Sequence, residues 1–198
     1  LGETHFDQLT DEVRVEALRL AGHLRRELGD LEGANGRLAE ATEIAIRIHG
    51  PNHISIAKCH IEEALTKGAH STRADKEQAL ALFTRAERIL ARTVTPEHRW
   101  FAEIALGRAN VLRSLSRPRQ ALAQDKHALD LYSISLPEDN PYRAHAQIQV
   151  ARARVAAGEQ ILRDDPKLLA ALEALRNAAP GFEDWILEDS NWIEELPT

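Results

Sequence analysis

Small and apolar residues return along this chain at helical rather than strand spacing. Ala57 and Ala64, Ala102 and Ala109, and Ala144 and Ala151 each lie seven residues apart, as do Ala34 and Ala41, Ala79 and Ala86, Ala121 and Ala128, and Val15 and Gly22. Seven residues make about two helical turns, so both members of a pair face the same way. The pattern predicts helices near residues 8–28, 36–48, 53–66, 75–92, 98–115, 118–134, 141–157 and 166–178. The last opens on Asp165-Pro166, a capping residue followed by proline at the first helical position. Residues 182–196 form a ninth candidate, with Phe182, Trp185, Ile186, Asp189, Ile193 and Leu196 at helical spacing and only Asp189 polar. No segment alternates as a strand would, and the fold class expected is all-α.

The helices come in pairs, and the pairs repeat. Gly50-Pro51-Asn52-His53 leads into Ala57, Thr95-Pro96-Glu97-His98 into Ala102, and Glu138-Asp139-Asn140-Pro141 into Ala144. The step from Ala57 to Ala102 is 45 residues and that from Ala102 to Ala144 is 42. The three extra residues are expected in the Thr66–Asp75 connection, where Gly68, Ser71 and Thr72 signal a loop. A single hairpin cannot bury its own apolar face, and stacked neighbours can.

These openings and alanine pairs resemble the tetratricopeptide repeat (TPR), and more narrowly the ~42-residue variety of kinesin light chain and of many bacterial signalling proteins. The resemblance covers residues 12–158 well and 144–178 as a degenerate last unit, with Phe83 one surviving aromatic position. It implies a right-handed α-solenoid of antiparallel helix pairs with a C-terminal capping helix. The domain expectation is a repeat domain of about four units over 1–178, followed by an acidic, Trp-containing segment over 179–198 that caps or docks.

Composition fits that picture: 31 Ala and 26 Leu against 4 Phe, 2 Tyr and 3 Trp favour helix over sheet. The net charge of −6 is accounted for by the six acids of residues 182–198, which contain no base, so residues 1–181 are neutral. A neutral body with an acidic tail gives no footprint for nucleic acid and none for a membrane surface. One cysteine excludes an intrachain disulfide. No signal-peptide pattern opens the chain, which starts at Leu1 and contains no Met; a fragment of a longer, cytoplasmic protein is the expectation.

Chemistry is sparse. His49 and His53 are separated by Gly50-Pro51 and are not expected to share a helix face. Cys59 and His60 should point apart, and neither set has zinc spacing. The glycines from Gly29 to Gly36 lack the Lys-Ser/Thr ending of a phosphate loop and read as an interhelical turn. The acid pairs Glu62-Glu63 and Asp164-Asp165 read as solvated, with Asp165 a cap. No catalytic site, metal or cofactor is expected.

What the resemblance implies for function is a concave groove lined by the first helix of each pair. Its positions fall one, four, eight and eleven residues after the helix-opening small residue. They are Glu16, Arg19, His23 and Arg26; Lys58, Ile61, Leu65 and Gly68; Glu103, Leu106, Asn110 and Arg113; and His145, Ile148, Arg152 and Val155. Five bases beside the apolar Ile61, Leu65, Leu106 and Ile148 suit an extended peptide with acidic and apolar side chains. Asn110 stands where an amide can both donate to and accept from a peptide backbone. The competing reading pairs these bases with neighbouring helices. The function expected is a protein-interaction module, a scaffold or sensory part of a larger bacterial signalling protein beside a kinase or transcription regulator; self-assembly through the ends of the stack is the alternative. The 182–196 tail has two readings: a cap with its acids in water, or a segment that docks in the chain's own basic groove.

Overall fold

A computed structural model describes residues 10–178 and 180–198. Among these the chain forms nine α-helices and no strand: α1 (Asp11–Glu27), α2 (Leu31–His49), α3 (Ile54–Ala69), α4 (Arg73–Thr93), α5 (Arg99–Ser114), α6 (Pro118–Ser135), α7 (Pro141–Ala156), α8 (Pro166–Arg176) and α9 (Glu183–Glu194). The expected residues 8 and 9 of α1 lie outside the described residues. The described helices divide into two compact units, α1 to α4 before Glu97 and α5 to α9 from there on.

In the first unit α1 pairs with α2 and α3 with α4, while α3 also lies against α2 and α1. In the second, α5 pairs with α6 and α7 with α8, and α9 crosses both α8 and α7. The alanine register accounts for this pairing. Ala34, Ala41, Ala57, Ala64, Ala79, Ala86, Ala102, Ala109, Ala121 and Ala128 are fully buried, and Ala144 and Ala151 nearly so. At Gly22 the approach is closer still, since an added Cβ would stand 2.6 Å from Cγ of the buried Leu38. Phe83, the surviving aromatic, is fully buried in α4.

The helix starts follow local chemistry. His53 and His98, the last residues of two of the repeated openings, cap α3 and α5: each ring Nδ1 accepts the backbone N–H two residues on, from Ser55 and from Trp100, at 3.3 Å. Asn140 does the same for α7 through Tyr142 at 3.0 Å, with Pro141 in the first turn. Asp165 caps α8 by accepting from Lys167 and Leu168. A cap whose acceptor is a neutral imidazole nitrogen holds only while that nitrogen is unprotonated.

Two expectations are corrected. Helix α2 starts at Leu31, so Gly33 and Gly36 are helical and the turn is confined to Leu28–Asp30. Asp30 accepts from the backbone N–H of Gly33 at 2.9 Å, and a Cβ at Gly33 would come within 2.1 Å of that carboxylate. Absence of a side chain there permits the cap, and Gly29, at φ +79°, supplies the left-handed turn before it. Helix α3 runs on to Ala69, because Thr66 is buried and donates to the carbonyl of Glu62; the connection shrinks to residues 70–72 before Thr72 caps α4 through Asp75. His49 and His53 share no helix face, one ending α2 and the other capping α3, yet their rings stack with centroids 3.9 Å apart across the Gly50-Pro51 turn.

Candidate functional site: the first-helix faces

The positions assigned to the groove sit on α1, α3, α5 and α7, and within each unit most of their bases are engaged by acids or amides of the same unit. In the first unit Arg19, His23 and Arg26 converge on one carboxylate, Glu62 of α3. Arg19 reaches Oε1 at 3.3 Å, while His23 and Arg26 reach Oε2 at 3.3 and 3.5 Å. Arg19 also holds Glu16 at 2.6 Å, and its guanidinium keeps that carboxyl below the usual range. Glu62 was expected in water with Glu63. Instead their side chains are only 13% and 16% exposed, and Glu63 accepts from the Thr42 hydroxyl at 2.7 Å and lies 2.9 Å from His60. The signal for this was present: Glu62 stands five residues after Ala57, which turns it toward α1.

Lys58 and Leu65 share α3 with Ile61 and Gly68, but Ile61 is 5% exposed and belongs to the core. Ile148, at 0%, is core as well. These two therefore offer a peptide no surface, while Leu65, Leu106 and Val155 are half-buried. Leu106 packs against the cluster of Ala102, Ala105, Leu131 and Tyr132. Asn110 is exposed.

In the second unit Arg113 donates to Asp125 of α6 at 2.6 Å, to Gln149 of α7 at 3.3 Å, and to Asn110. Asp125 is fully buried, with Oδ1 unpartnered, and burial outweighs the Arg113 charge enough to push its carboxyl up to about 6. The signal was present: Asp125 stands four residues after Ala121 and three before Ala128, on the face of that buried pair.

On α7, Arg152 and His145 meet the tail. Asp189 of α9, the one polar residue of its apolar stripe, is fully buried. Its Oδ1 accepts from Arg152 at 2.8 Å and its Oδ2 lies 2.9 Å from Nδ1 of His145. Arg152 donates further to the Glu188 carboxylate and to its backbone carbonyl, each at 2.9 Å, and lies over the Trp192 ring at 5.1 Å. Trp185 stacks on His145, centroids 4.1 Å apart and 15° from coplanar, and meets Tyr142 edge-on at 5.6 Å. On its other side α9 sends Ile193 and Leu196 into a core with Ile148, Leu168, Leu172 and Leu175. The acids of the tail thus divide: Asp189 turns inward, while Glu183, Asp184, Glu188, Glu194 and Glu195 face water.

Among the described residues no group of three His, Cys, Asp or Glu side chains is placed to hold a metal ion, and no helix is long and apolar enough to cross a membrane. Cys59 is buried, which pushes its thiol up to about 12.

No family model and no curated protein matches the sequence. Solved structures do. BtubC from P. vanneervenii superposes with a TM-score of 0.67 at 16% identity, covering 88% of this chain and 69% of that one. A putative kinesin light chain from Podosopora anserina, with nearly identical TPR-like repeats, gives 0.66 at 18% over 91% and 95%. A thermophilic TPR protein of Thermus thermophilus gives 0.51 at 22% over 89% and 80%. The chain therefore has the all-α helical repeat fold of TPR-like proteins.

Proposed function

We propose that this chain is a non-catalytic protein-interaction module whose first-helix faces take a segment carrying acidic and apolar side chains. The observation that carries the reading is the seating of α9 on α7. There an acidic, Trp-bearing helix places Asp189 and Glu188 on Arg152 and His145, and both tryptophans against the same two side chains. Charge-assisted pairs set position, and a stacked aromatic adds area at low entropic cost. A partner segment of like composition would use the same contacts, so the tail acts as a built-in competitor.

The second reading is a permanent cap, favoured by the burial of Ile193 and Leu196. A fluorescent peptide of residues 182–196 added to the full chain distinguishes them. The competitor reading expects weak binding to the wild type, tighter binding to Asp189→Ala, and loss with Arg152→Glu or rising salt. No binding to either protein at low salt would leave the cap.

A further inference from the structure

Helix α1 and its C-cap carry four large apolar side chains that face water: Val13 (51% exposed), Leu20 (50%), Leu24 (54%) and Leu28 (84%). At 100° per residue these four, with Ala17 among them, fall within about 80° of arc, away from the buried Val15, Leu18 and Gly22. One exposed leucine is ordinary; a continuous stripe marks an interface.

The internal repeat says what kind of surface this is. Leu20 and Leu24 stand five and nine residues after Val15. The same steps after Ala57 give Glu62 and Thr66, and after Ala144 give Gln149 and Ala153. Thr66, Gln149 and Ala153 are buried, and Glu62 is nearly so. Within each unit this band receives the preceding first helix: α1 reaches Glu62 through Arg19, His23 and Arg26, and α5 reaches Gln149 through Arg113. In α1 the band is built of leucine, and helical surface is what fits it.

We propose that this face is an interface between two copies of this chain, α1 against α1 about a two-fold axis, with the helices parallel. Charge along the stripe's edges selects that geometry. Glu12, Glu16 and Glu27 fall on one edge, where Glu16 and Glu27 already hold Arg19 and Arg26 at 2.6 and 2.7 Å, and Arg14 and Arg25 fall on the other. A two-fold parallel to the helices sets the acidic edge of one copy along the basic edge of its partner. An axis across the helices sets acid on acid and base on base. Arg14 and Arg25 already hold Glu40 and Asp30, each at 2.6 Å, so a carboxylate of the second copy shares these pairs rather than filling a vacancy.

Sedimentation equilibrium of the 198-residue chain from micromolar to half-millimolar concentration tests the contact. A dimer is expected, weakened at least about a hundredfold in L20E/L24E, whose helicity, and whose melting point at dilutions where the wild type is monomeric, stay near the wild-type values because both leucines are half-exposed. Orientation is read from Val13→Cys oxidised with glutathione disulfide, since buried Cys59 is not a competing thiol. A disulfide joining position 13 of the two copies supports the parallel pair. A chain that stays monomeric throughout, a dimer indifferent to L20E/L24E, or Val13→Cys that crosslinks only to Leu28→Cys would each overturn the proposal.

Discussion

Replacing Asp189 by alanine removes one acid yet should loosen a whole helix. The carboxylate is fully buried and takes Arg152 at 2.8 Å and His145 at 2.9 Å. Truncating one member of a fully buried ion pair costs about 3–5 kcal/mol, chiefly by stranding the partner. Here Arg152 keeps Glu188 and the Trp192 ring, so the lower figure of about 2–3 kcal/mol applies. Glu188 is 63% exposed, and its truncation should cost less than about 1 kcal/mol despite an equally short bond. Urea unfolding followed by both far-UV circular dichroism and Trp fluorescence is the assay. Trp185 and Trp192 lie on α9, so fluorescence should shift at lower urea than helicity if the helix leaves first. A double-mutant cycle with Arg152→Ala should return a coupling above about 1 kcal/mol. An Asp189→Ala loss below about 0.5 kcal/mol, with coincident transitions, would refute the reasoning.

Gly22→Ala and Gly36→Ala should move stability in opposite directions. Alanine gains about 1 kcal/mol of helix propensity at either site, but at 22 it strikes Leu38 and loses about 1–3 kcal/mol, whereas at 36 nothing lies within 4 Å; thermal melts of both decide it. Burial holds the His53 and His98 imidazoles below their ordinary value, so their contribution is present above about pH 6.5 and lost as pH falls through the lowered folded value. His53→Asn, a cap that does not titrate, should gain on the wild type in melts taken from pH 7.5 down to 5. Asp125 runs the other way: its folded value of about 6 lies above the ordinary 3.8, so its ionisation costs stability as pH rises between them. Asp125→Asn should therefore fare better against the wild type at pH 8 than at pH 4.5, and the reverse order of melting points would contradict the assignment.

The fold was legible because its register is written in side-chain size. A seven-residue alanine step is a statement about helix crossings, and every alanine pair it named is buried. Boundaries were less legible where one residue outvotes its neighbours: Gly33 looks like a turn until Asp30 is seen to need that empty space, and Thr66 looks like a loop until its hydroxyl is seen bonding back to Glu62. The site was half legible. The bases were found by position, but their partners are acids whose burial depends on a neighbouring helix. Asp189 announced itself most directly, as the polar residue within an apolar stripe.

That asymmetry bears on what the first-helix faces can bind. An apolar contact between neighbouring helices tolerates sliding, whereas a buried acceptor such as Glu62 or Gln149 is satisfied only when the preceding helix presents its guanidinium at one height. The arginines are thus committed first to the register of the repeat. An acid of the ligand proposed above would meet them already paired, and its charge would have to displace or share an internal carboxylate rather than fill a vacancy. Charge by itself then yields little net affinity, and discrimination falls to whatever the ligand adds beside it. On the proposed reading that addition is aromatic, as at α9, where Asp189 takes up Arg152 and His145 in company with Trp185 on the imidazole and Trp192 beneath the guanidinium. A partner built of acids without an aromatic anchor should be passed over.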